Sequence, residues 1–291
     1  MPVRLIVNAD DFGLTRGINR AVAELHAAGA LTSATLMANG AAFDDSVSIA
    51  RANPSLGVGC HIVLTDGEPV CPPESIPTLI GSDGRTFRPK LVKFLQALIA
   101  GRVRAEDIAR EAAAQIEKLQ RVGINITHLD THKHTHLFPM VARPLLEVAE
   151  RVGIRAVRNP FEPDWNRTLG HGGAPRRLAV RALTLLRPAF ESIPQINSNA
   201  VRTTAGTVAI SATGSLDADT LGELLHALPE AGDFELCCHP GYNDAELDRV
   251  ATRLRAHRDV ERETLMSAIP RLSAQPNAPA LISYAELQTK R

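Results

Sequence analysis

Short apolar runs alternate with helical patterns seven or eight times along this chain, and no other feature limits its fold as strongly. Each run has the length of a buried strand, and each is followed by apolar residues at helical spacing, as in residues 17–30. Such alternation predicts an α/β fold with a parallel sheet. The polar clusters follow predicted strands, where a (β/α) barrel places its active site, although an open doubly wound sheet binds ligands at the same edge. We therefore predict a single-domain (β/α) barrel over 1–291, irregular or seven-stranded, and keep the open sheet as the alternative.

The hydrophobic pattern locates the individual elements. The predicted strands are 5–7, 33–37, 57–64, 126–132, 156–158, 208–211, 234–238 and 280–284. The predicted helices are 17–30, 43–52, 105–122, 139–152, 176–187, 217–228 and 260–272. Residues 66–103 and 161–175 are predicted to be irregular, because turn signals interrupt them. An insertion as long as 66–103 is typical of a functional loop or a small subdomain.

Charge and cysteine content exclude several classes of protein. The chain has 32 Lys and Arg against 32 Asp and Glu, which argues against a general binder of nucleic acid or of anionic membranes. Its four cysteines form no CxxC pair, which argues against a disulfide framework and a cysteine-rich zinc site. No apolar stretch reaches the roughly 18 residues of a membrane span, and no signal peptide is recognisable. We therefore expect a cytoplasmic protein with no transmembrane segment and no nucleic-acid partner.

Two polar clusters lie in the first third of the chain. Asp10 and Asp11 follow the first predicted strand within the sequence NADDFG. Neighbouring strand residues point to opposite faces, so both aspartates can serve one site only if the strand ends there and the loop turns the second one back. His61 lies in the third predicted strand. A helix-capping turn and a structural histidine are the plainer interpretations of these residues.

Two further clusters are rich in histidine. The segment HLDTHKHTH occupies 128–136, and its residues 128, 130 and 132 share one face of a strand. His239 ends a later apolar strand and precedes Pro-Gly, where a loop catalyst would lie. Burying four unpaired histidines and an aspartate would cost several kcal/mol in total, so core packing is a poor explanation of 128–136. A solvated histidine-rich loop that binds metal by chance remains the alternative.

The four clusters together contain the groups of a metal-dependent hydrolase. One carboxylate and two imidazoles suit Zn²⁺ and comparable divalent ions, and such a site leaves positions open for water and substrate. A spare carboxylate is then available as a base and a spare histidine as an acid, which suits hydrolysis of an amide or an ester.

Five motifs make the chain resemble the YdjC-like carbohydrate deacetylases, a family that includes chitooligosaccharide deacetylase and the hopanoid-biosynthesis-associated deacetylases. They occur in the family's order: VNADDFGLT (7–15), LTSATLMANG (31–40), PSLGVGCHIVLTDGEP (54–69), THLDTHKHTHLFP (127–139) and CHPGY (238–242). The resemblance implies a (β/α) barrel that is commonly a homodimer.

The resemblance also implies a role for each matching residue. Asp11, His61 and His132 match the positions that bind one divalent ion, Mg²⁺ or Zn²⁺. Asp10 matches the base that deprotonates the attacking water, and His239 matches the acid that protonates the departing amine. The implied reaction removes an N-acetyl group from an N-acetylglucosamine-type sugar.

Five more residues are candidates for support of the site or for substrate contact. We assign Asp130 and Arg158 to positions behind the ligands and the base, where a carboxylate fixes a histidine tautomer and an arginine keeps the base ionised. A surface ion pair is the alternative for the arginine. His134 and His136 contact substrate, replace a ligand or are solvated, and Trp165 either stacks on a sugar or anchors its loop.

The substrate has two candidate carriers. The segment PPESIPTLIGSDGRTFR (72–88) resembles the hopanoid-associated branch, which favours a glycosylated hopanoid over a soluble chitooligosaccharide. A lipid substrate would bring the protein to the inner membrane surface, and the basic face of helix 176–187 meets either such a surface or solvent. Two other functions stay open: hydrolysis of another bond such as a phosphoester, and a catalytically silent sugar- or metal-binding barrel.

Overall fold

Parallel strands form one sheet in the computed structural model, which describes residues 3–169 and 173–288. The strands are β1 (Arg4–Phe12), β2 (Ser33–Leu36), β3 (Gly57–Ile62), β4 (Ile126–Thr131), β5 (Gly206–Val208), β6 (Asp233–Cys238) and β7 (Ala280–Leu281). Their order is β4-β3-β2-β1-β6-β5, and β7 pairs with the first two residues of β1. All of these pairs are parallel. The carboxyl ends of β1 to β6 therefore meet at one end of the sheet.

Helices connect these strands. They are α1 (Arg16–Ala27), α2 (Phe43–Ala52), α3 (Leu91–Ile99), α4 (Ala105–Arg121), α5 (Pro139–Arg151), α6 (Asp164–Thr168), α7 (Ala174–Leu183), α8 (Arg187–Glu191), α9 (Pro194–Asn197), α10 (Ala218–His226), α11 (Ala256–Ser273) and α12 (Tyr284–Gln288). Turns of 3₁₀ helix occupy Pro73–Ser75, His132–Leu137, Thr184–Leu186 and Leu247–Arg249. None of the helices in the described residues is long and apolar enough to cross a lipid bilayer.

An extended segment, 155–161, joins the two edges of the sheet. On the β4 side, the N–H of Leu129 donates to the carbonyl of Ala156 at 3.0 Å. On the β5 side, the N–H of Thr207 donates to the carbonyl of Phe161 at 3.1 Å. The parallel sheet is therefore curled into an irregular barrel, and the predicted α/β barrel fold is confirmed.

Amphipathic helices cover the outside of this barrel. On α4 the residues Ile108, Ala112, Ile116 and Leu119 are buried, and they repeat at the spacing of one helical stripe. The strands are buried along nearly their whole length, because helices pack on one face and the barrel interior lies on the other. Polar side chains inside the barrel are therefore cut off from water and need hydrogen-bond partners there.

The insertion at 66–103 differs from the prediction, because it contains helix α3. Only Phe94, Ala97 and Leu98 of this nine-residue helix are buried. Val92 and Ile99 remain exposed, which blurs the apolar stripe by which a helix is recognised in sequence. The second stretch predicted to be irregular contains α6 and the start of α7, and its residues 170–172 lie outside the described part of the chain.

The C-terminal segment closes the end of the barrel opposite the strand carboxyl ends. The N–H of Ile282 donates to the carbonyl of Leu5 at 3.0 Å, at the start of β1. The N–H of Tyr284 donates to Oγ of Ser33 at 3.1 Å, at the start of β2. The Tyr284 ring is fully buried and stacks on His128 with ring centroids 3.8 Å apart. Polar side chains from this end therefore reach the interior of the barrel.

Candidate active site

A bulge in β1 turns both aspartates of NADDFG toward the barrel interior. The pairing of β1 with β2 shifts between Ala9 and Phe12, and Asp11 adopts a left-handed backbone with φ of 65°. β1 extends beyond the predicted strand 5–7 to Phe12, so it does not end at the aspartates, which was the condition we set for both to serve one site. The extra residue of a β-bulge re-aims a side chain, and this is how adjacent aspartates come to face one site.

Asp11, His61 and His132 bring three ligand atoms together. Oδ1 of Asp11 lies 3.6 Å from Nε2 of His61 and 3.3 Å from Nδ1 of His132. One ligand atom from each residue lies within 4.8 Å of the others. His132 is 21% exposed, so the group is open to solvent on that side. A carboxylate oxygen and two imidazole nitrogens with an open side fit a divalent ion such as Zn²⁺.

Asp130 fixes the orientation of His61. Its Oδ1 lies 2.7 Å from Nδ1 of His61, so the Nδ1–H donates to the carboxylate and Nε2 faces Asp11. Burial alone would lower the pKa of His61, but Asp130 and the neighbouring aspartates raise it to about 9. The geometry is that of a carboxylate behind a metal-binding histidine, the position we assigned to Asp130.

Arg258 holds the other oxygen of Asp11. Its Nη2 donates to Oδ2 of Asp11 at 2.5 Å, which leaves Oδ1 for the histidines. Burial would raise the pKa of the Asp11 carboxyl, but Arg258 holds that pKa well below its usual range. No signal in the sequence pointed to this arginine, because α11 is rich in charged residues and shows no clear apolar stripe.

Arg158 is fully buried among three carboxylates. Its Nη1 and Nη2 donate to the two oxygens of Asp10 at 2.8 and 2.6 Å. Its Nη1 also lies 2.6 Å from Asp130, and its Nη2 donates to Glu235 at 2.7 Å. Burial would raise the pKa of the Asp10 carboxyl, but Arg158 holds it well below its usual range. The arginine therefore lies behind Asp10 and forms no surface ion pair.

Glu235 was missed by the sequence reasoning. Its Oε2 accepts hydrogen bonds from the hydroxyls of Thr207, at 3.1 Å, and Tyr284, so the C-terminal segment is linked to Arg158. A glutamate within the apolar strand DFELCC was the available signal, because a buried carboxylate requires a partner. Its alternation with Cys237 and His239 places it on the interior face of β6.

His239 lies beside Asp10. Its Nε2 is 3.8 Å from Oδ2 of Asp10. Its backbone N–H donates to the buried carboxylate of Glu261 at 2.6 Å, a partner on α11 that the sequence did not reveal. Burial lowers the pKa of His239 to about 4, so the imidazole is neutral at pH 7.

The histidine-rich turn after β4 separates its members. His136 is fully buried, its Nδ1 accepts from the hydroxyl of Thr131 at 2.7 Å, and its Nε2–H donates to the carbonyl of Arg158 at 3.2 Å. Burial lowers its pKa to about 4. None of the roles offered for His136, namely substrate contact, ligation and solvation, fits this position, and the residue instead secures the turn.

His134 lies nearer the site. Lys133 and His134 both adopt left-handed backbones, with φ of 58° and 52°, which non-glycine residues rarely do. One ligand atom of His134, one of Asp10 and the Cys237 sulfur lie within 4.8 Å of one another. The turn therefore presents His134 beside the candidate base, where substrate contact stays a prediction.

Trp165 does not join this group. Its ring packs edge-on against Phe234, with centroids 5.8 Å apart. Because Glu235 points into the barrel, Phe234 points to its outer face. Of the two roles offered for Trp165, the position matches anchoring of its loop.

The geometry predicts which histidines bind metal. We expect His61→Ala to weaken Zn²⁺ binding by about a hundredfold or more, since its loss removes one of three ligands. The ion must displace a proton from His61, so the apparent affinity falls as the pH decreases below about 9. Isothermal titration calorimetry at several pH values measures both effects, with His26→Ala as a control outside the site. Unchanged stoichiometry in His61→Ala and Asp11→Ala would instead favour chance binding by the histidine-rich turn.

Two carbohydrate deacetylases of known sequence are similar to this chain, one over 55% of its length and one over 82%. Over 159 residues it is 41% identical to a carbohydrate deacetylase of Brevibacillus brevis, a match that covers 55% of this chain and 60% of that protein. Over 251 residues it is 33% identical to a carbohydrate deacetylase of Mus musculus, covering 82% and 78%. The chain thus spans about three fifths of the length of the Brevibacillus relative.

Solved structures and a family profile complete the comparison. The crystal structure of an Enterococcus faecalis protein has a TM-score of 0.79 at 23% identity and covers 99% of this chain and 100% of its own. The lactam utilization protein of Thermus thermophilus has a TM-score of 0.53 at 12% identity, covering 97% and 99%. Identities this low show a shared fold only. The profile described as YdjC-like protein matches residues 4–272. The chain belongs to the YdjC-like family.

Proposed function

We propose that this protein is a metal-dependent carbohydrate N-deacetylase. The observation that carries the proposal is the placement of an ionised carboxylate, Asp10, beside the ligand group of Asp11, His61 and His132 at the carboxyl end of the barrel strands. An oxygen of Asp10 and a nitrogen of His61 lie within 4.8 Å of each other. The names of the Brevibacillus and mouse relatives support the same reaction.

The ligand group would hold one divalent ion, Mg²⁺ or Zn²⁺, through Asp11, His61 and His132. An ion bound there polarises the acetamide carbonyl and makes a nearby water more acidic. Asp130 keeps His61 in the tautomer that can ligate, and Arg258 leaves one oxygen of Asp11 available. These two residues orient the ligands before any ion or substrate arrives.

Asp10 and His239 would move the proton. Asp10 takes a proton from the attacking water, while Arg158 holds its carboxylate in place through two hydrogen bonds. Because Arg158 keeps the pKa of Asp10 low, the proton passes readily to neutral His239, whose Nε2 is 3.8 Å away. The imidazolium then protonates the amine as the carbon–nitrogen bond breaks, which yields acetate and a free amino sugar.

An N-acetylglucosamine-type sugar is the proposed substrate, carried by a glycosylated hopanoid or a chitooligosaccharide. Phosphoester hydrolysis is the less favoured reaction, because it requires basic side chains that can reach a phosphate. Arg158 and Arg258, the arginines found at this site, are both paired with carboxylates. A catalytically silent barrel would bind the ion and the sugar without turnover, so an activity assay separates it from a deacetylase. The homodimer that the resemblance implies remains a proposal.

We expect the metal-loaded protein to release acetate from N-acetylglucosamine oligomers or from an N-acetylglucosaminyl lipid. The assay compares both substrates, and the faster one identifies the carrier. His61→Ala serves as the inactive control, since it lacks one proposed metal ligand and keeps the other ion pairs of the site. A wild-type protein that holds its ion and releases no acetate from either substrate would contradict the deacetylase proposal and favour the silent barrel.

A further inference from the structure

Two stretches of this chain carry basic residues and no acidic ones. Between Asp83 and Glu106 the cations are Arg85, Arg88, Lys90, Lys93, Arg102 and Arg104. Between Asp164 and Glu191 the cations are Arg167, Arg176, Arg177, Arg181 and Arg187. Positive charge is therefore concentrated in two segments, although the formal net charge of the whole chain is zero.

Each stretch also contains exposed apolar side chains on helical turns. On α3, Val92 is 54% exposed and Ile99 is 72% exposed. In the helical segment 174–191, Leu178 and Leu185 are 70% and 82% exposed. In α3 the two residues are seven positions apart, which places them on the same side of the helix, whereas Leu178 lies in α7 and Leu185 in the 3₁₀ turn that follows it. Exposed apolar side chains among cations are typical of helices that lie on membrane surfaces.

α3 follows β3, which contributes His61 to the site. The base of the α3 insertion touches the rim of the site, because the N–H of Asp66 donates to the carbonyl of Arg88 at 3.1 Å and Asp66 pairs with Lys133, next to His132. The segment 174–191 follows 155–161, on the other side of β4. α3 and 174–191 therefore follow the two elements that pair with β4, the strand that leads into the histidine-rich turn.

We propose that α3 with its flanking Lys90 and Arg102, together with 174–191, binds the surface of an anionic phospholipid membrane. We name these residues the basic rim. Within residues 3–169 and 173–288, Lys90, Lys93 and Arg102 form no ion pair, so their charges are available to lipid phosphates. A second copy of the chain is a poorer occupant, because a two-fold interface would bring the same cations face to face.

The consequence for the active site is that its opening faces the membrane. This consequence rests on the proposed function, since it makes the substrate an acetylated sugar carried by a lipid. Binding of the basic rim to anionic lipid does not depend on catalysis, and the two can therefore fail separately.

The experiment is cosedimentation of the metal-loaded protein with vesicles. One set contains phosphatidylcholine with phosphatidylglycerol, and the other contains phosphatidylcholine alone. We expect binding to the anionic vesicles only, and weaker binding as salt increases. Replacing Lys90, Lys93 and Arg102 by glutamine should weaken this binding by about a hundredfold.

Apolar variants complete the test. Val92→Ser with Ile99→Ser should also weaken vesicle binding, whereas Val260→Ser, an exposed valine beside Asp259 on α11, should not. All these variants should release acetate from a soluble N-acetylglucosamine oligomer at the wild-type rate. Suppose that neither the wild type nor any variant releases acetate, while vesicle binding changes as expected. The deacetylase proposal then fails, and the proposal that the basic rim binds membranes is retained.

Three outcomes would contradict the proposal that the basic rim binds membranes. In the first, the wild type does not sediment with anionic vesicles at low salt. In the second, the glutamine variant sediments as well as the wild type. In the third outcome, light scattering shows a wild-type dimer that the Val92 and Ile99 substitutions convert to a monomer without changing vesicle binding. That result would make a second copy the occupant of α3.

Discussion

Asp10→Asn is expected to lower kcat for acetate release by about a thousandfold, the scale of a lost general base, with metal binding unchanged. The amide cannot take the proton of the attacking water. The ion should remain bound, because Asp10 is not among the three grouped ligands Asp11, His61 and His132. The fold should survive, since Arg158 keeps Asp130 and Glu235 as partners. Steady-state kinetics and calorimetry on the same preparation measure the two quantities.

Asp248→Asn is the matched control, because it removes an exposed carboxylate whose ion pair with Arg255 lies outside the site. Its kcat should equal that of the wild type. An Asp10→Asn protein with bound metal and a kcat within about tenfold of the wild type would contradict the role of base. Loss of the ion in this variant would make Asp10 a ligand instead.

The sequence predicted which residues meet, because parallel strands end at the same edge and each cluster follows a strand. Asp11, His61 and His132 lie together for this reason, as does His239 beside Asp10. The alternation along the fourth strand predicted that Asp130 shares a face with His132, and Asp130 lies behind His61 in the structure. Motif position relative to strand ends was therefore sufficient to predict which of these side chains meet.

The buried partners of these residues could not be predicted in the same way. Arg258 and Glu261 come from a helix far along the chain, and nothing in its charged sequence distinguishes them from surface residues. Tyr284 reaches the interior only because a short final strand pairs with the start of β1. The bulge at Asp11 was also invisible, since it depends on pairing between two strands. Contacts between distant segments are set by packing, which a local pattern does not record.

Arg158→Met is expected to lower the free energy of unfolding by about 3–5 kcal/mol at pH 7. Methionine replaces part of the arginine's volume but removes the cation that Asp10, Asp130 and Glu235 share. Leaving a buried carboxylate without its partner costs more than the pair itself contributes. Urea denaturation measures the loss, and Arg158→Lys, which keeps the charge but fewer hydrogen bonds, should show a smaller one.

The pH dependence of this loss has a definite sign. In the wild type the pKa values of Asp10 and Asp130 are lowered, because Arg158 outweighs the effect of burial. Their contribution to stability is therefore present above the unfolded pKa of about 4 and is lost as the pH falls below it. Without Arg158, burial is largely unopposed and raises the same pKa values, so the folded variant gains stability by taking up protons as the pH falls. The difference between wild type and Arg158→Met should therefore be smaller at pH 5 than at pH 7.

The matched control removes an arginine from an exposed ion pair. Arg121 lies 2.6 Å from Glu117 on the surface of α4, and Arg121→Met should cost less than about 1 kcal/mol with little dependence on pH. An Arg158→Met protein that loses no more than this control, or loses the same amount at pH 5 and pH 7, would mean that the three carboxylates do not carry charge in the folded protein. Asp10 would then already hold a proton and could not act as the base. The stability of one buried arginine variant therefore tests the proposed mechanism independently of any substrate.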